Sequence, residues 1–138
     1  RLEIAELMAR YADVVDRRDW PRMSRVFALE ATIDFRPSGG PSGPFREMLA
    51  WLDRALDSWP IHLHMITNLI VELDGDRATG RAAWMHTGKN AEERMTIGGF
   101  GHYEDDLVKV DGEWLFARRR IYNEGNEAWA APPGNPAW

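Results

Sequence analysis

Residues 2–20 read LEIAELMARYADVVDRRDW, and their pattern sets the start of the fold. The apolar residues recur every three or four positions, which is the spacing of one helical face. This spacing predicts an α-helix over about 2–17. Asp19 is a suitable N-cap and Pro21 fits a first helical turn, so we expect a second short helix that runs to about Ala28.

The rest of the chain predicts one more helix and then a sheet. A short β-prone segment at 31–35 leads into a loop rich in Gly and Pro at 36–44, and an amphipathic helix follows at about 45–58. Four long strands come next, at 61–73, 77–87, 95–110 and 114–122.

Two Asp-Gly dipeptides, Asp74-Gly75 and Asp111-Gly112, place tight antiparallel hairpins between these strands. Glycines at 98, 99 and 101 indicate bulges or a sharp bend. Helices followed by an antiparallel sheet predict an α+β domain whose helices cover one face of the sheet. We assign residues 1–123 to this domain. Residues 124–138 carry three prolines and no periodic pattern, so they form a tail that is either a lid or disordered.

Composition and charge exclude several classes of protein. The 138-residue chain has a net charge of -5 and scattered Lys and Arg, so we expect no binding of nucleic acid. It shows no apolar window that could span a bilayer and no secretory leader, which predicts a cytoplasmic protein without membrane contact. The absence of Cys excludes disulfides, Cys-ligated zinc and thiol nucleophiles. The sequence has neither a Gly-rich phosphate loop nor a Gly-x-Ser-x-Gly motif, so it does not predict nucleotide cofactors or serine hydrolysis.

The order of the predicted elements resembles a known fold. Two helices, a strand, a helix and four long strands, over about 4–122, are similar to the cone-shaped fold of nuclear transport factor 2 (NTF2), ketosteroid isomerase and scytalone dehydratase. Residues 11–20, which end in Asp16-x-x-Asp19-Trp20, resemble the first helix of scytalone dehydratase and of SnoaL-like proteins. The resemblance implies a cystatin-like cone, with helices packed on a strongly curved, mixed, mostly antiparallel sheet.

The same resemblance implies a catalytic pair. In that family the aspartate three residues before the Asp-Trp pair orients a catalytic histidine, and the matching residues here are Asp16 and His64. Residues 64–68, His-Met-Ile-Thr-Asn, and residues 131–134 resemble segments of the hexachlorocyclohexane dehydrochlorinases. Tyr11 and Asp16 resemble the Tyr/Asp pair of the bile-acid 7α-dehydratases. Because these relatives share β-elimination, the resemblance implies that reaction here.

Two positions depart from the relatives. Scytalone dehydratase holds a catalytic water between two tyrosines, and this chain has Val15 and Phe35 at the matching positions, so we do not expect scytalone as the substrate. Ketosteroid isomerase has its general base at the position of Phe35, so we do not expect steroid isomerisation by that route.

Elementary chemistry supports His64 as the base. A neutral imidazole titrates near physiological pH, and a carboxylate bonded to its other nitrogen fixes the tautomer and stabilises the imidazolium. On a helical wheel Asp16 flanks the apolar face, whereas Asp13 lies opposite to it. Taken alone, the position of Asp16 favours a surface charge or a structural ion pair with Arg17 or Arg18; the resemblance favours the catalytic role.

Three further residues have a structural and a functional interpretation. Tyr11 lies in the apolar face of the first helix, as core or as an oxyanion donor. His86 falls near the second catalytic histidine of scytalone dehydratase and is a secondary candidate for the general acid. His62 and His64 form a His-x-His spacing that also suits a metal ion. Because the sequence shows no third ligand and the relatives work without metal, we expect no metal or other cofactor and a rim or structural role for His62.

Aromatic residues supply candidate pocket walls. The chain has 7 Trp, whose flat apolar faces suit either a pocket or a subunit interface. The candidate substrate-binding residues, which could equally form an ordinary core, are Phe35, Trp51, Trp84, Phe100 and Tyr103. Asp105 and Asp106 are adjacent on a strand and point apart, so we expect them to be solvated and without a role.

These observations predict a cofactor-independent lyase, a dehydratase or dehydrohalogenase, that acts on a small hydrophobic cyclic substrate. In this prediction His64 takes the proton and Asp16 orients it. Two alternatives are an isomerase or cyclase of a polyketide- or steroid-like substrate in the same pocket, and a noncatalytic binding or assembly module such as the small subunit of a ring-hydroxylating dioxygenase. Because open sheets of this fold commonly pair, we also expect a homodimer or a higher homo-oligomer.

Overall fold

Two helices pack on one six-stranded sheet in the computed structural model, which describes residues 1–89 and 92–126. The helices are α1, Leu2–Arg17, and α2, Phe45–Ala55. The strands are β1, Phe27–Asp34; β2, Ser42–Pro44; β3, Ile61–Asp74; β4, Arg77–Lys89; β5, Met95–Val110; and β6, Glu113–Asn126. Two 3-10 helices, Trp20–Arg25 and Arg36–Ser38, connect them.

The sheet is mixed and mostly antiparallel. Its strands lie in the order β2-β1-β6-β5-β4-β3. β1 and β6 pair in parallel, and the other neighbouring pairs are antiparallel. At the turn between β5 and β6 both Asp111 and Gly112 have positive φ, as a type I′ hairpin requires. The predicted α+β class and the predicted hairpins are confirmed.

Bulges bend the sheet around α1. The pairing register shifts at Thr67/Ile70, His86/Thr87, Phe100/Gly101 and Asp106/Leu107. Two of these shifts fall at or opposite the glycines that predicted a bend, and a Cβ at Gly101 would overlap the carbonyl group of Tyr122. A bulged strand bends, so the sheet wraps around the helices. We call the helix-covered side of the sheet its inner face and the opposite side its outer face.

The core lies between α1 and the inner face. The buried residues of α1 are Ile4, Leu7, Met8, Tyr11, Ala12, Val14 and Val15. They meet a set of buried aromatic and aliphatic side chains on β1, β5 and β6, which includes Phe27, Tyr103, Leu107 and Phe116. The helical spacing of residues 2–17 therefore positions α1, and with it Tyr11 and Asp16, against the sheet.

The start of β1 differs from the prediction. The second helix is a 3-10 helix that ends at Arg25, and β1 begins at Phe27. Val26 and Phe27 are buried, and Phe27 lies beside Phe116 of β6. Pairing with a distant strand therefore outweighs the local helical tendency of this segment. The predicted loop at 36–44 also contains β2, which pairs with the end of β1.

β6 runs to Asn126, past the predicted domain end at residue 123. The rest of the predicted tail, including residues 131–134, lies outside the described residues. Among the helices of the described ranges, none is long and apolar enough to cross a membrane. The cytoplasmic location stays a prediction.

Candidate functional site

A cavity lies between the helices and the inner face of the sheet. Its empty volume is about 810 Å³, including the part open to solvent. The predicted site residues that line it are Tyr11, Phe35, Trp51, His64, Trp84, His86 and Tyr103. The fold thus brings together side chains from both helices, from β3, β4 and β5, and from the end of β1.

Phe100 is the predicted wall residue that the structure places elsewhere. Its neighbour on β4 is Met85, which is an exposed residue of the outer face, whereas Gly99 lines the cavity. Side chains alternate along a strand, so Phe100 lies on the outer face. Tyr103 is three positions further along β5, and this odd spacing puts the two rings on opposite faces.

Asp16 and His64 form the predicted pair. Asp16 lies in the last turn of α1, and its Oδ1 is 2.6 Å from Nδ1 of His64. The backbone N–H of His64 donates to the same carboxylate, with N to Oδ2 at 2.9 Å and N to Oδ1 at 3.1 Å. The side chains are only 11% and 13% exposed for His64 and Asp16. Arg17 pairs with Asp13, so the alternative in which Asp16 forms an ion pair with Arg17 is not observed.

The carboxylate of Asp16 is held in its charged form. Burial alone would raise its pKa, but hydrogen bonds from the side chains of His62 and His64 and from the backbone of His64 lower the pKa to about 2. A carboxylate accepts hydrogen bonds and cannot donate them when ionised, so Nδ1 of His64 carries the proton. The other nitrogen, Nε2, is left to accept a proton from a substrate.

His62 is also bonded to Asp16 and is not a rim residue. Its Nδ1 lies 3.2 Å from Oδ1 of Asp16, the atom that His64 also contacts. The His62 side chain is 2% exposed, and its Nε2 is buried with no hydrogen-bond partner in the described part of the chain. The site is therefore a carboxylate shared by two histidines.

His86 lies beside this group as a neutral ring. Burial lowers the pKa of His86, and the neighbouring His64 and His62 lower it further, to about 3. Its ring centre is 4.8 Å from that of His64, and the rings are nearly parallel at 25°. At neutral pH His86 offers only an uncharged N–H, which can form a hydrogen bond but is a weak general acid.

A glycine makes room for the wall beside His86. The ring of Trp59 packs edge-on against His86 with 4.8 Å between ring centres. A Cβ at Gly98 would lie 2.6 Å from Nδ1 of His86 and 2.9 Å from Cζ2 of Trp59. Only glycine at this position leaves both rings where they are.

The segment after Asp16 holds the rim of the cavity. Arg18 is left-handed, with φ 53, and its Nη2 donates to the carbonyl oxygens of Leu56 at 2.5 Å and of Trp59 at 3.2 Å. Nε1 of Trp20 donates to Oδ1 of Asp53 at 3.0 Å. α2 ends at Ala55, earlier than predicted, and the two bonds from Arg18 hold the backbone of Leu56 and Trp59 at the cavity wall.

A buried ion pair packs against the two tyrosines of the cavity. Arg119 donates to Asp105 from Nε at 2.8 Å and from Nη2 at 2.9 Å, and both side chains are 0% exposed. Cζ of Arg119 lies 4.3 Å from the ring centre of Tyr11 and 3.8 Å from that of Tyr103. Burial raises the pKa of both tyrosines, so their hydroxyls stay protonated and able to donate.

The expectation that Asp105 is solvated is therefore wrong. Asp105 and Asp106 do point apart, as neighbours on a strand must. Alternation turns Asp105 to the inner face and into the core, where Arg119 of β6 is its partner in register. Asp106 lies on the outer face and pairs with Arg118, and that pair is exposed.

Asp16, His62 and His64 could also hold a metal ion. Their ligand atoms lie within 4.8 Å of one another, and two imidazoles with one carboxylate are a set that first-row transition metals accept. The structure thus supplies the third ligand that the sequence did not show. Coordination through Nδ1 would replace the Nδ1 protons that now form the hydrogen bonds to Asp16. These atoms therefore serve hydrogen bonding or metal binding, and not both at once.

Several cavity residues were missed by the sequence analysis. Besides Leu56 and Trp59 they include Ser38, whose Oγ donates to the carbonyl of Ile121, and Asn123. Oδ1 of Asn123 accepts the N–H of Gly125 at 3.1 Å, so its Nδ2 is left to donate. Asn123 was missed because the last strand was predicted to end at residue 122. Trp59 could have been found, since a tryptophan that comes shortly before the strand with the His-x-His motif lies close to the candidate histidines in sequence.

The mixed sheet wrapped around α1, with a cavity at its inner face, is that of an NTF2-like, cystatin-like domain, and solved structures of such domains share the fold. Residues 1–120 match the SnoaL-like domain, so the chain belongs to the SnoaL-like family. The superfamily that the resemblance predicted is confirmed.

Known relatives span almost the whole chain. An uncharacterized protein of Mycobacterium tuberculosis is 34% identical over 120 residues, which cover 86% of this chain and 82% of that protein. A solved protein from Kribbella flavida has a TM-score of 0.81 and 27% identity, with 93% of each chain covered. A protein from Novosphingobium aromaticivorans, provisionally assigned as a scytalone dehydratase, has a TM-score of 0.78 and 21% identity over 98% of this chain and 93% of that one. The last likeness concerns the fold alone.

Proposed function

We propose that this protein is a cofactor-independent lyase that removes water or a halide from an uncharged, hydrophobic, cyclic small molecule. The observation that carries the proposal is the 2.6 Å bond between His64 Nδ1 and Asp16 Oδ1, at a histidine that lines an aromatic cavity. Such a pair is a general base with a fixed tautomer. The likeness to the provisionally assigned scytalone dehydratase is consistent with this class of reaction.

The proposed reaction is a β-elimination. Nε2 of His64 takes a proton from a carbon beside a carbonyl group, and the C–H electron pair becomes the new C=C bond. The bond to the leaving group on the next carbon breaks, and that group departs as halide or as hydroxide. Asp16 stabilises the imidazolium while it exists. Hydroxide takes the proton back from His64 and leaves as water, whereas after loss of halide His64 passes the proton to solvent water.

Donors for the substrate carbonyl are at hand in the cavity. The hydroxyls of Tyr11 and Tyr103 are protonated, and Nδ2 of Asn123 is oriented by the bond that its Oδ1 makes to Gly125. A hydrogen bond to the carbonyl oxygen stabilises the negative charge that develops there as the proton leaves. We therefore assign these groups to stabilise the enolate that forms when His64 removes the proton.

The cavity lining favours a substrate without charge. None of the lining residues of the described chain is Lys, Arg, Asp or Glu, and the walls are mainly aromatic and aliphatic. An ionised substrate would lose its hydration in such a cavity and gain no partner. Flat rings of Trp51, Trp84 and Phe35 suit a cyclic molecule.

The test is mass spectrometry of products from a panel of β-hydroxy ketones and chlorinated rings. We expect wild type to release water or hydrogen chloride, and His64→Gln and Asp16→Asn each to lower turnover about a hundredfold or more, because the base or its tautomer is lost. The control is His102→Gln, which removes a histidine stacked on Tyr122 of the outer face and leaves turnover unchanged.

The other outcomes separate the alternatives. A His64-dependent product of unchanged mass and altered retention would favour the isomerase or cyclase. Equal turnover by wild type and His64→Gln would contradict a reaction based on His64 of either kind. Purification only with a larger partner subunit would favour the assembly module.

We also propose that the protein is a homodimer formed by the outer face of the sheet. An outer apolar patch on three adjacent strands, with each side chain at least 36% exposed, consists of Ile61, Leu63, Met65, Met85 and Ile97. Strand pairing places Met65 beside Met85 and aligns Leu63 with Ile97 through Thr87. A contiguous apolar patch marks an interaction site, and a patch can meet its own copy across a twofold axis.

Charges placed in this patch should dissociate the dimer. We expect Leu63→Glu and Met85→Glu to give a monomer mass in light scattering, because each buries an unpaired carboxylate in the interface. Leu29→Glu is the control, since Leu29 is 76% exposed on β1 and outside the patch. A wild-type mass that stays monomeric at every concentration would contradict the proposal.

A further inference from the structure

We propose that His62 is a positioning residue of the site, which shares the Asp16 carboxylate with His64 and holds that carboxylate in the position that His64 needs. The inference rests on the proposed function of His64 as the base. It assigns a role to a residue for which the sequence alone predicts a rim or structural role.

The geometry requires one proton arrangement. Nδ1 of His62 and Nδ1 of His64 lie 3.2 Å and 2.6 Å from the same atom, Oδ1 of Asp16. An ionised carboxylate oxygen only accepts hydrogen bonds, so both Nδ1 atoms must carry protons. Both neutral rings are therefore the Nδ1–H tautomer, with Nε2 unprotonated.

Burial gives the two histidines different roles. His64 lines the cavity and is 11% exposed, whereas His62 is 2% exposed and its Nε2 has no partner among the described residues. His62 is therefore placed as a fixed donor to Asp16, and His64 is the ring that can meet a substrate.

The backbone fixes His62 in this position. His62 and His64 lie on the same face of β3, and their neighbours on β4 are Gly88 and His86. A Cβ at Gly88 would lie 2.7 Å from the Cα of His62, so the close approach of the strands requires glycine. The titratable groups that face this cluster are Asp16 and Tyr11 of α1, His86 of β4 and Tyr103 of β5.

The bond from His62 limits how the carboxylate can turn. His64 bonds to Asp16 through Nδ1 and through its backbone N–H, and His62 adds a second side-chain donor on Oδ1. Without His62 the carboxylate can rotate, and the tautomer of His64 is then less strictly fixed. Removal of His62 should therefore lower kcat, which depends on that tautomer, and leave KM nearly unchanged.

Two variants separate donation from packing. His62→Leu removes the donor, whereas His62→Asn retains an N–H close to the position of Nδ1. We expect kcat to fall about tenfold in His62→Leu, with KM little changed. We expect His62→Asn to keep the wild-type kcat, and His102→Gln, the control on the outer face, to keep it too.

Imidazole nitrogen NMR tests the inference without a substrate. The chain has only 4 His, so each ring can be assigned from a single variant. We expect the Nδ1–H tautomer for both His62 and His64 in wild type. We expect the Nδ1–H tautomer of His64 to be partly lost in His62→Leu, because the carboxylate is no longer held, and to be kept in His62→Asn. An Nε2–H tautomer for His62 in wild type, or a His64 tautomer in His62→Leu identical to that of wild type, would overturn the inference. These readouts stand if no substrate is turned over, which would count against the proposed function alone.

Discussion

Arg119→Met should lower the free energy of unfolding by about 3–5 kcal/mol, the cost of breaking a buried ion pair by removal of one partner. Arg119 and Asp105 are 0% exposed, so the variant leaves a carboxylate in the core without its two N–H donors. It also removes the guanidinium from the rings of Tyr11 and Tyr103, which it contacts at 4.3 Å and 3.8 Å. The same loss is expected for Asp105→Asn, which leaves the guanidinium unpaired.

The measurement is urea unfolding at pH 7, with a matched pair as control. Arg118 is the preceding residue of β6 and pairs with Asp106 at 3.0 Å, but these side chains are 46% and 44% exposed. Arg118→Met should cost about 1 kcal/mol or less, as is usual for surface ion pairs. A double variant, Arg119→Met with Asp105→Leu, should be more stable than the sum of the single losses predicts, because no charge is left unpaired. Equal losses for Arg119→Met and Arg118→Met would contradict the assigned role of the buried pair.

Because His86 is buried as a neutral ring, the free energy of unfolding should fall by about 3 kcal/mol between pH 7 and pH 4. Burial is the main cause that lowers the pKa of His86 from 6.5 to about 3 in the folded state. Between these values the unfolded chain binds a proton that the folded chain does not, so stability falls as pH decreases from about 6.5. One pKa unit corresponds to about 1.4 kcal/mol, which gives the stated loss at pH 4.

The loss should be absent from a variant that cannot bind this proton. We expect His86→Leu to lose about 3 kcal/mol less than wild type between pH 7 and pH 4 in urea unfolding, whatever its stability at pH 7. Asp16 contributes in a different window, since its pKa falls from 3.8 to about 2 and its stabilisation is lost only below about pH 4. Parallel slopes for wild type and His86→Leu would contradict a buried neutral His86.

Much of the fold could be predicted because its signals are local. The three-to-four spacing of residues 2–17 depends only on neighbours one turn away, and the Asp-Gly turns at 74–75 and 111–112 depend on two residues each. The start of β1 could not be placed in this way, because Phe27 is a strand residue only through its pairing with Phe116 of β6. Local propensity at that segment favours a helix, and the distant strand decides otherwise.

The part of the site that could be predicted from the sequence is the part that belongs to a short motif. Asp16 and His64 were found from a resemblance, and the structure places their side chains in contact. The alternation of side chains along a strand could have shown that Phe100 and Tyr103 do not both face the cavity, since three positions separate them on one strand. His62 gave no signal beyond its spacing, because its bond to Asp16 depends on where α1 crosses β3.

The sequence alone determined the helix that carries Asp16, the four long strands, their hairpin turns and the superfamily, because each depends on spacing or on a short motif. Only the tertiary structure decided that Asp105 is a core residue, that His62 shares a carboxylate with His64 and that His86 is neutral. The physical reason is common to all three. A side chain's partners, burial and pKa depend on groups far away in the chain, and only the bent sheet packed around α1 brings those groups together.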